Sequence, residues 1–225
     1  MVVNGIDIEI EYKNIKHIHL SVYPPNGRVH VSAPYETSEK HLRFFVLSRW
    51  IWIIEKRKEA MTHNIQPKRD FVSGECHYYK GQAYRLRVDH EPNERQKVFI
   101  EGDYLVVRCR NRENVEDLLK EWYRERLKET CPALVEEWVK KINVSMPAVE
   151  FLSMPLRWGS CNQKKQKIIF NLELAKKPQE CIEYVVAHEV LHLVEHNHTP
   201  RFFRLLQTNL PNWESLQNQL NELAF

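Results

Sequence analysis

The chain has 225 residues, of which 43% are hydrophobic and 28% are charged, a composition typical of globular proteins. The net charge of +3 is too small to indicate a nucleic-acid partner, and no segment is long and apolar enough to predict a membrane span. The opening residues lack the pattern of a targeting segment, and the five widely spaced cysteines include no CxxC pair. We therefore expect a reduced, cytoplasmic protein.

Alternation of polar and apolar residues predicts a β-hairpin over residues 17–33. Its two alternating runs flank a Pro-Pro-Asn-Gly turn at residues 24–27. One helix is predicted to follow, capped by Thr37 or Ser38 and ending near Lys58, because apolar residues recur there at helical spacing.

The pattern changes from strand-like to helical near residue 110. Residues 71–110 contain further β-rich runs, whereas apolar residues from Val115 onward follow a helical period that Pro132 is expected to kink or break. We therefore predict a β-rich accessory region over 1–110 and a catalytic region over 111–225.

The second region combines strands and helices, so the fold class we predict is α+β. Strands are expected at 148–152 and 167–174, with a polar turn at 159–163 between them. A helix is expected over about 179–195. Two shorter helices finish the chain, beginning near Pro200 and Asn212.

A metal-binding motif lies on the predicted helix, in the run His188-Glu189-Val190-Leu191-His192. Residues four apart share one helix face, so both imidazoles can reach one ion. In the H-E-x-x-H motif the glutamate is no ligand; it serves as general base for a metal-bound water. The spacing predicts a hydrolytic zinc site with one ion per chain.

The third ligand is predicted to come from beyond the helix. His196 is four residues past the motif on the same helix, too far along its axis for all three rings to reach one ion. A turn at Asn197 would bring His198 to the metal, and Thr199 would then cap the next helix. Glu214 is a more remote alternative ligand.

Five segments together carry a family resemblance: Gly27–Pro34, Arg157–Cys161, Ile169–Leu172, Tyr184–His192 and His198–Phe203. With them the chain resembles the YgjP-like metallopeptidase family over nearly its full length. The resemblance implies a zincin-like catalytic part preceded by a β-rich accessory part. It also implies zinc ligation by His188, His192 and His198, with Glu189 as the catalytic glutamate.

The resemblance leaves the substrate open. Most members of the family are described as peptidases from their motif, and we predict a metallopeptidase acting on peptides or proteins. A nucleoside triphosphate (UTP) pyrophosphatase using the same metal site is the first alternative, since the same activated water serves either bond. A non-catalytic zinc protein associated with DNA restriction and defence is the second.

Four further residues are candidates for substrate binding. Arg157 and Ser160, in the predicted polar turn, would border the cleft. The strand at 167–174 would pair with an extended peptide substrate, which would bring Asn171 near the cleft. Tyr184, one helical turn before the motif, would stabilise a developing oxyanion. Each also has an ordinary structural interpretation in a turn, a strand or a packed helix.

Two clusters of polar side chains each allow a functional and a structural interpretation. The functional interpretation of the first cluster, Lys164, Lys165 and Lys167, is phosphate binding. The functional interpretation of the second, His17, His19 and His30, is a second metal site. Solvated surface is the simpler interpretation of both.

Overall fold

The computed structural model describes residues 1–23, 26–62, 69–154 and 157–222. The fold is α+β, as predicted. The described residues up to 62 form one compact unit and those from 69 onward form another. The region boundary that we predicted at residue 110 falls inside the second unit. Within the described ranges, no helix is both long and apolar enough to cross a membrane.

The first unit is a four-stranded sheet with two helices. Its strands are β1 (Val2–Val3), β2 (Ile6–Lys13), β3 (His19–Tyr23) and β4 (Arg28–Pro34). Their order is β1-β2-β4-β3, with β2 parallel to β4 and the other neighbours antiparallel. The pairing of β3 with β4 is the predicted hairpin, whose turn at 24–27 lies partly outside the described residues.

The helix predicted after the hairpin is divided in two, α1 (Glu39–Ser48) and α2 (Trp50–Thr62). Ser38 caps α1 as predicted, because its side chain accepts a hydrogen bond from the backbone N–H of His41. The division is at Arg49, whose backbone leaves the helical region (φ −108°, ψ 12°) and whose N–H bonds to the carbonyl of Val46. The apolar period alone did not reveal this break.

The second unit begins with a sheet of the same topology as the first. Its strands are β5 (Cys76–Tyr79), β6 (Gln82–His90), β7 (Lys97–Glu101) and β8 (Tyr104–Cys109), in the order β5-β6-β8-β7. Here too the central pair is parallel and the outer pairs are antiparallel. In both sheets the first hairpin turns on two residues of positive φ, Asn4-Gly5 and Lys80-Gly81.

A long helix, α3 (Val115–Ile142), follows the second sheet. We expected Pro132 to kink or break this helix, and the break does not occur, since the helix continues past Pro132. Proline removes one backbone hydrogen bond, and buried apolar residues on both sides of it, Cys131 and Val135 among them, hold the helix in the core. The helix ends at Asn143, whose left-handed backbone (φ 59°) is a common helix terminator.

The third sheet contains β9 (Ala148–Leu152), β10 (Gly159–Asn162) and β11 (Lys167–Asn171), in the order β10-β11-β9. The expected turn at 159–163 was wrong, since most of it is strand β10. Because β11 is bonded on both sides, it is the central strand, and β10 is an edge of this sheet.

Three helices complete the second unit after a short 3₁₀ turn at Leu172–Lys176. They are α4 (Gln179–Leu191), α5 (Pro200–Asn209) and α6 (Trp213–Glu222). Helix α4 is apolar on nearly every side and packs against both α3 and β10. The motif predicted to bind metal is therefore held at the centre of the second unit.

Candidate metal centre

The structure brings the three predicted metal ligands together. His188 lies in the last turn of α4, His192 directly follows that helix, and His198 lies shortly before α5. The Nε2 atom of His188 is 3.2 Å from Nε2 of His192 and 2.8 Å from Nε2 of His198. One ring nitrogen from each residue lies within 4.8 Å of the other two. Three nitrogens this close, facing one another, form a ready set of metal ligands.

The chain reaches His198 by a different route from the one expected. Helix α4 ends at Leu191, earlier than the predicted 195, because the backbone N–H groups of Leu193 and Val194 bond three residues back instead of four. Asn197, which we expected to turn in the left-handed conformation, does not have positive φ. Two alternative ligands, His196 and Glu214, do not belong to the cluster of nitrogens.

Neighbouring groups fix the orientation of the histidine rings. The Nδ1 atom of His192 lies 3.0 Å from the carbonyl oxygen of Glu195. Phe202 is fully buried, and the centre of its ring lies 4.7–5.0 Å from the ring centres of all three histidines. Thr199 caps α5 as predicted, accepting a hydrogen bond from the N–H of Phe202. The sequence did not indicate that Phe202 packs against the three histidine rings, because an aromatic residue at helical spacing predicts only packing in general.

Burial favours the neutral form of His188 and His192, which is the form of histidine that binds metal. Loss of solvation, with His192 and His198 beside it, lowers the pKa of His188 to about 3. Burial also lowers the pKa of His192, although its bond to the carbonyl of Glu195 opposes this. The Nδ1 atom of His188 is buried without a hydrogen-bond partner in the described part of the chain. A bound cation would offset the cost of burying these polar rings.

Glu189 is buried beside the histidines, with only 6% of its surface exposed. This burial raises the pKa of its carboxyl group to about 8, although the nearby guanidinium of Arg157 works in the opposite direction. A carboxylate with this affinity for protons suits general acid–base chemistry near neutral pH. The site therefore combines a cluster of histidine nitrogens that could hold a metal with one group that can take and return a proton.

A cleft of about 530 Å³ lies over the histidines and Glu189. Three of the four predicted substrate-binding residues line it: Arg157, Ser160 and Tyr184. Burial and the charge of Glu189 raise the pKa of Tyr184 to about 12, so its hydroxyl stays protonated at neutral pH.

Asn171, the fourth candidate, is not brought to the cleft. It is 4% exposed, and its side-chain N–H group donates to the carbonyls of Met154 and Arg157, both at 2.7 Å. Its side-chain oxygen accepts from the backbone N–H of Glu173. In the structure Asn171 thus fastens the segment that leads into strand β10.

Further residues line the cleft that sequence analysis missed. One of them is Trp158, which is half-buried in the cleft wall, with the ammonium of Lys177 lying 4.8 Å from its ring centre. Helix α6 contributes Gln217, Leu220 and Asn221 to the lining of the cleft. Nothing in the local sequence of α6 indicates this position, which results from tertiary packing against α4.

The other polar clusters do not add a second site. Across the described ranges, the histidines around His188 are the single group of side chains arranged to hold a metal. His30 instead lies 3.2 Å from a carboxylate oxygen of Glu11. Lys167, from the predicted phosphate-binding cluster, is paired with Glu150 at 2.7 Å and does not line the cleft.

Two solved structures are weakly similar to the chain, and the comparison with curated proteins found no match. The metallopeptidase zymogen of Pyrococcus abyssi abylysin is 17% identical, with a TM-score of 0.38 over 40% of this chain and 90% of its own. The zymogen of Methanocaldococcus jannaschii jannalysin is 17% identical, with a TM-score of 0.39 over 42% and 97%. Similarity this low supports no statement about function.

A family model gives a much more extensive match. The model described as the YgjP-like, metallopeptidase domain matches residues 16–223, which include strand β10, the whole of α4 and the third histidine. The family resemblance found in the sequence is thereby confirmed, and the ligand geometry described above fits a divalent metal. The chain belongs to the YgjP-like metallopeptidase family and is a metal-dependent hydrolase.

Proposed function

We propose that the protein is a zinc peptidase in which His188, His192 and His198 hold one zinc ion and Glu189 is the general base. The observation that carries the proposal is the position of a buried carboxylate beside three imidazoles whose nitrogens lie within 4.8 Å of one another. Three protein ligands with room for a water is the usual arrangement of catalytic zinc.

Zinc suits the donor set better than a harder metal. Neutral imidazole is a good ligand for zinc, whereas magnesium and calcium prefer oxygen ligands. When bound, zinc would supply Lewis acidity that acidifies a water and polarises the bond to be cleaved. Glu189 would take the proton from that water and return it to the leaving group, which its raised pKa favours.

The walls of the cleft favour an extended peptide as substrate. Strand β10 lines the cleft and lies at the edge of its sheet, so its backbone groups are available to a peptide strand. The expected pairing strand, β11, is central and is not available. We therefore move the proposed substrate-pairing role from residues 167–174 to β10.

Three cleft residues have proposed roles toward that peptide. Tyr184, which stays protonated, would donate its hydroxyl hydrogen to the oxyanion that develops at the scissile carbonyl. Arg157 is exposed at the cleft rim and would attract acidic groups of the substrate. Ser160, on the edge strand, would hydrogen-bond to the peptide beside the scissile bond.

Nucleotide hydrolysis is the weaker alternative for the same site. A triphosphate is usually bound by several cations or by backbone amides at a glycine-rich loop. Of the lysines and arginines in the described ranges, Arg157 alone lines this cleft.

The cytoplasm remains the proposed compartment, in keeping with five cysteines that form no disulfide.

The proposed function is tested by assaying one preparation on a peptide library and on a nucleotide panel. We expect about one zinc per chain, peptide cleavage, and no release of pyrophosphate from UTP. Glu189→Gln should retain the zinc and lose peptide cleavage. Pyrophosphate release without peptide cleavage would replace the proposal with its alternative, and a fully active Glu189→Gln would remove Glu189 as the base.

A further inference from the structure

Gly159, the first residue of strand β10, lies directly against the side chain of Glu189. A Cβ atom built on Gly159 would be 2.6 Å from both Cγ and Oε1 of Glu189 and 2.8 Å from its Cδ. Real Cβ atoms essentially never approach other heavy atoms closer than 3.0 Å. The side chain of Glu189 therefore occupies the space that any other residue at position 159 would need.

The requirement for glycine at position 159 is one of space. Its backbone does not have the positive φ that favours glycine, so a residue with a side chain could adopt the same conformation. Its partner across the ladder is Phe170, which is fully buried, and the next inward position on the strand is Cys161. An apolar side chain would be the ordinary occupant of this inward-facing position.

Strand β10 cannot move away from Glu189 easily. The backbone N–H of Asn171 donates to the carbonyl of Trp158 at 2.9 Å, and its side-chain N–H donates to the carbonyl of Arg157 at 2.7 Å. These two bonds fasten the two residues that precede Gly159. The strand is also paired with β11 along its whole length.

Helix α4 is equally fixed on its side of the contact. The residues on either side of Glu189 in the helix include Val186, Ala187 and Val190, all with no exposed surface. Tightly packed interiors resist displacement of a whole element. Added volume at position 159 would therefore be accommodated mainly by rotation of the Glu189 side chain.

We propose that Gly159 is a positioning residue: by lacking a side chain, it lets strand β10 cover the carboxylate of Glu189 and hold it in one orientation over the histidines. The contact itself stands on geometry alone, whereas its importance for turnover rests on the proposed function. On this basis position 159 acts through Glu189 and need not touch the substrate.

The experiment is a double-mutant cycle measured on stability, which requires no activity. Gly159→Ala is introduced into the native chain, into Glu189→Gln, which keeps the volume, and into Glu189→Ala, which removes Cγ and Oε1. We expect Gly159→Ala to lower Tm by roughly 2–10 °C in the native and Gln backgrounds. In the Glu189→Ala background we expect less than half of that shift, because the clashing atoms are gone.

Zinc content and kinetics test the positioning role. In the native background, Gly159→Ala should retain about one zinc per chain and lower kcat on the order of a hundredfold, as expected for a displaced catalytic group. KM for the peptide should change by less than about threefold, because substrate binding is not the affected step.

Three outcomes would overturn the proposal. One is an equal loss of Tm in all three backgrounds. This includes the case in which the double variant Gly159→Ala/Glu189→Ala fails to fold although Glu189→Ala alone folds. Another is native stability and native kcat in Gly159→Ala. The third is an unchanged kcat with a raised KM, which would make position 159 a substrate contact. If Glu189→Gln proves active, the proposed function fails, while the stability cycle still decides whether the contact exists.

Discussion

The Nδ1 atom of His192 lies 3.0 Å from the carbonyl oxygen of Glu195, in the tight turn that ends helix α4. An imidazole that donates from Nδ1 carries its lone pair on Nε2, and Nε2 of His192 faces the other two histidines. The turn thus sets the tautomer of His192. The same turn leads the chain to His198.

The first prediction separates the two histidines that follow this turn. His198→Ala should reduce zinc from about one per chain to nearly none after dialysis against a chelator, because two imidazoles alone bind the ion weakly. His196→Ala is the matched control, since its ring lines the cleft but does not belong to the cluster of nitrogens. Metal analysis of both variants checks this. Equal zinc in the two would mean that His198 is not a ligand.

The second prediction concerns Asn171, whose buried side chain forms hydrogen bonds with four backbone groups. Asn171→Ala leaves the carbonyls of Met154 and Arg157 without these donors. We expect the free energy of unfolding to fall by about 2–4 kcal/mol, since unsatisfied buried polar groups are costly. Urea unfolding followed by tryptophan fluorescence measures the change.

Asn162→Ala provides the comparison for Asn171. Asn162 is exposed, and its side chain accepts one hydrogen bond from the backbone N–H of Lys165. Its removal should cost at most about 1 kcal/mol. If Asn171→Ala costs no more than this control, the polar contacts of Asn171 do not hold the segment leading into β10.

The grouping of the three histidines was predictable because the sequence pattern behind it is local. The spacing of His188 and His192 places both on one helix face whatever surrounds the helix, and the cap at Thr199 could be read from Thr-Pro. The same holds for the strand pair β3 and β4, whose alternation is independent of the rest of the chain. In each case the residues that form the feature lie in one short continuous stretch of the sequence.

What could not be predicted depends on contacts between distant segments. Gly159 looked like part of a polar turn, and the reason for its glycine is Glu189, thirty positions later in sequence. Asn171 looked like a cleft residue because the strand order was unknown, and β11 proved to be central. Helix α6 reaches the cleft only through its packing on α4. Periodicity and spacing carry no information about such neighbours.

The third prediction is a pH dependence of stability that involves His77. This side chain is 1% exposed, and burial, with a smaller contribution from Arg69, lowers its pKa to about 4 despite the neighbouring carboxylate of Glu75. Between this value and the unfolded pKa of about 6.5, the unfolded chain binds a proton that the folded chain does not. The contribution of His77 to stability is therefore fully present above about pH 6.5 and is lost as the pH falls toward 4.

The measurement compares the native chain with His77→Gln between pH 7 and pH 5. The unfolding free energy of the native chain should fall by about 1–2 kcal/mol more than that of the variant over this range. Taking the difference removes the contributions of groups common to both chains, the metal-site histidines included. Parallel pH profiles would show that His77 is not kept neutral by the fold.

The last prediction concerns the hairpin turn between β5 and β6, which lies against the start of helix α4. The backbone N–H groups of Lys80 and Gly81 donate to the carbonyls of Ala175 and Lys176, both at 2.9 Å. A Cβ on Gly81 would lie 2.9 Å from Cγ of Pro178, the residue that precedes α4. The proline ring is rigid, so a side chain at position 81 would push the start of the helix away.

Gly81→Ala should therefore cost more than the same change at Gly102, a control in the same unit. Both glycines have positive φ (81° and 57°), but a Cβ on Gly102 would meet nothing within 4 Å. Both variants lose stability through backbone strain, and Gly81→Ala should lose about 1–2 kcal/mol more through the contact. Pro178→Ala, which removes the clashing Cγ, should cancel most of that excess when combined with Gly81→Ala. If the double variant shows no such recovery in urea unfolding, the turn does not bear on the position of the metal-site helix.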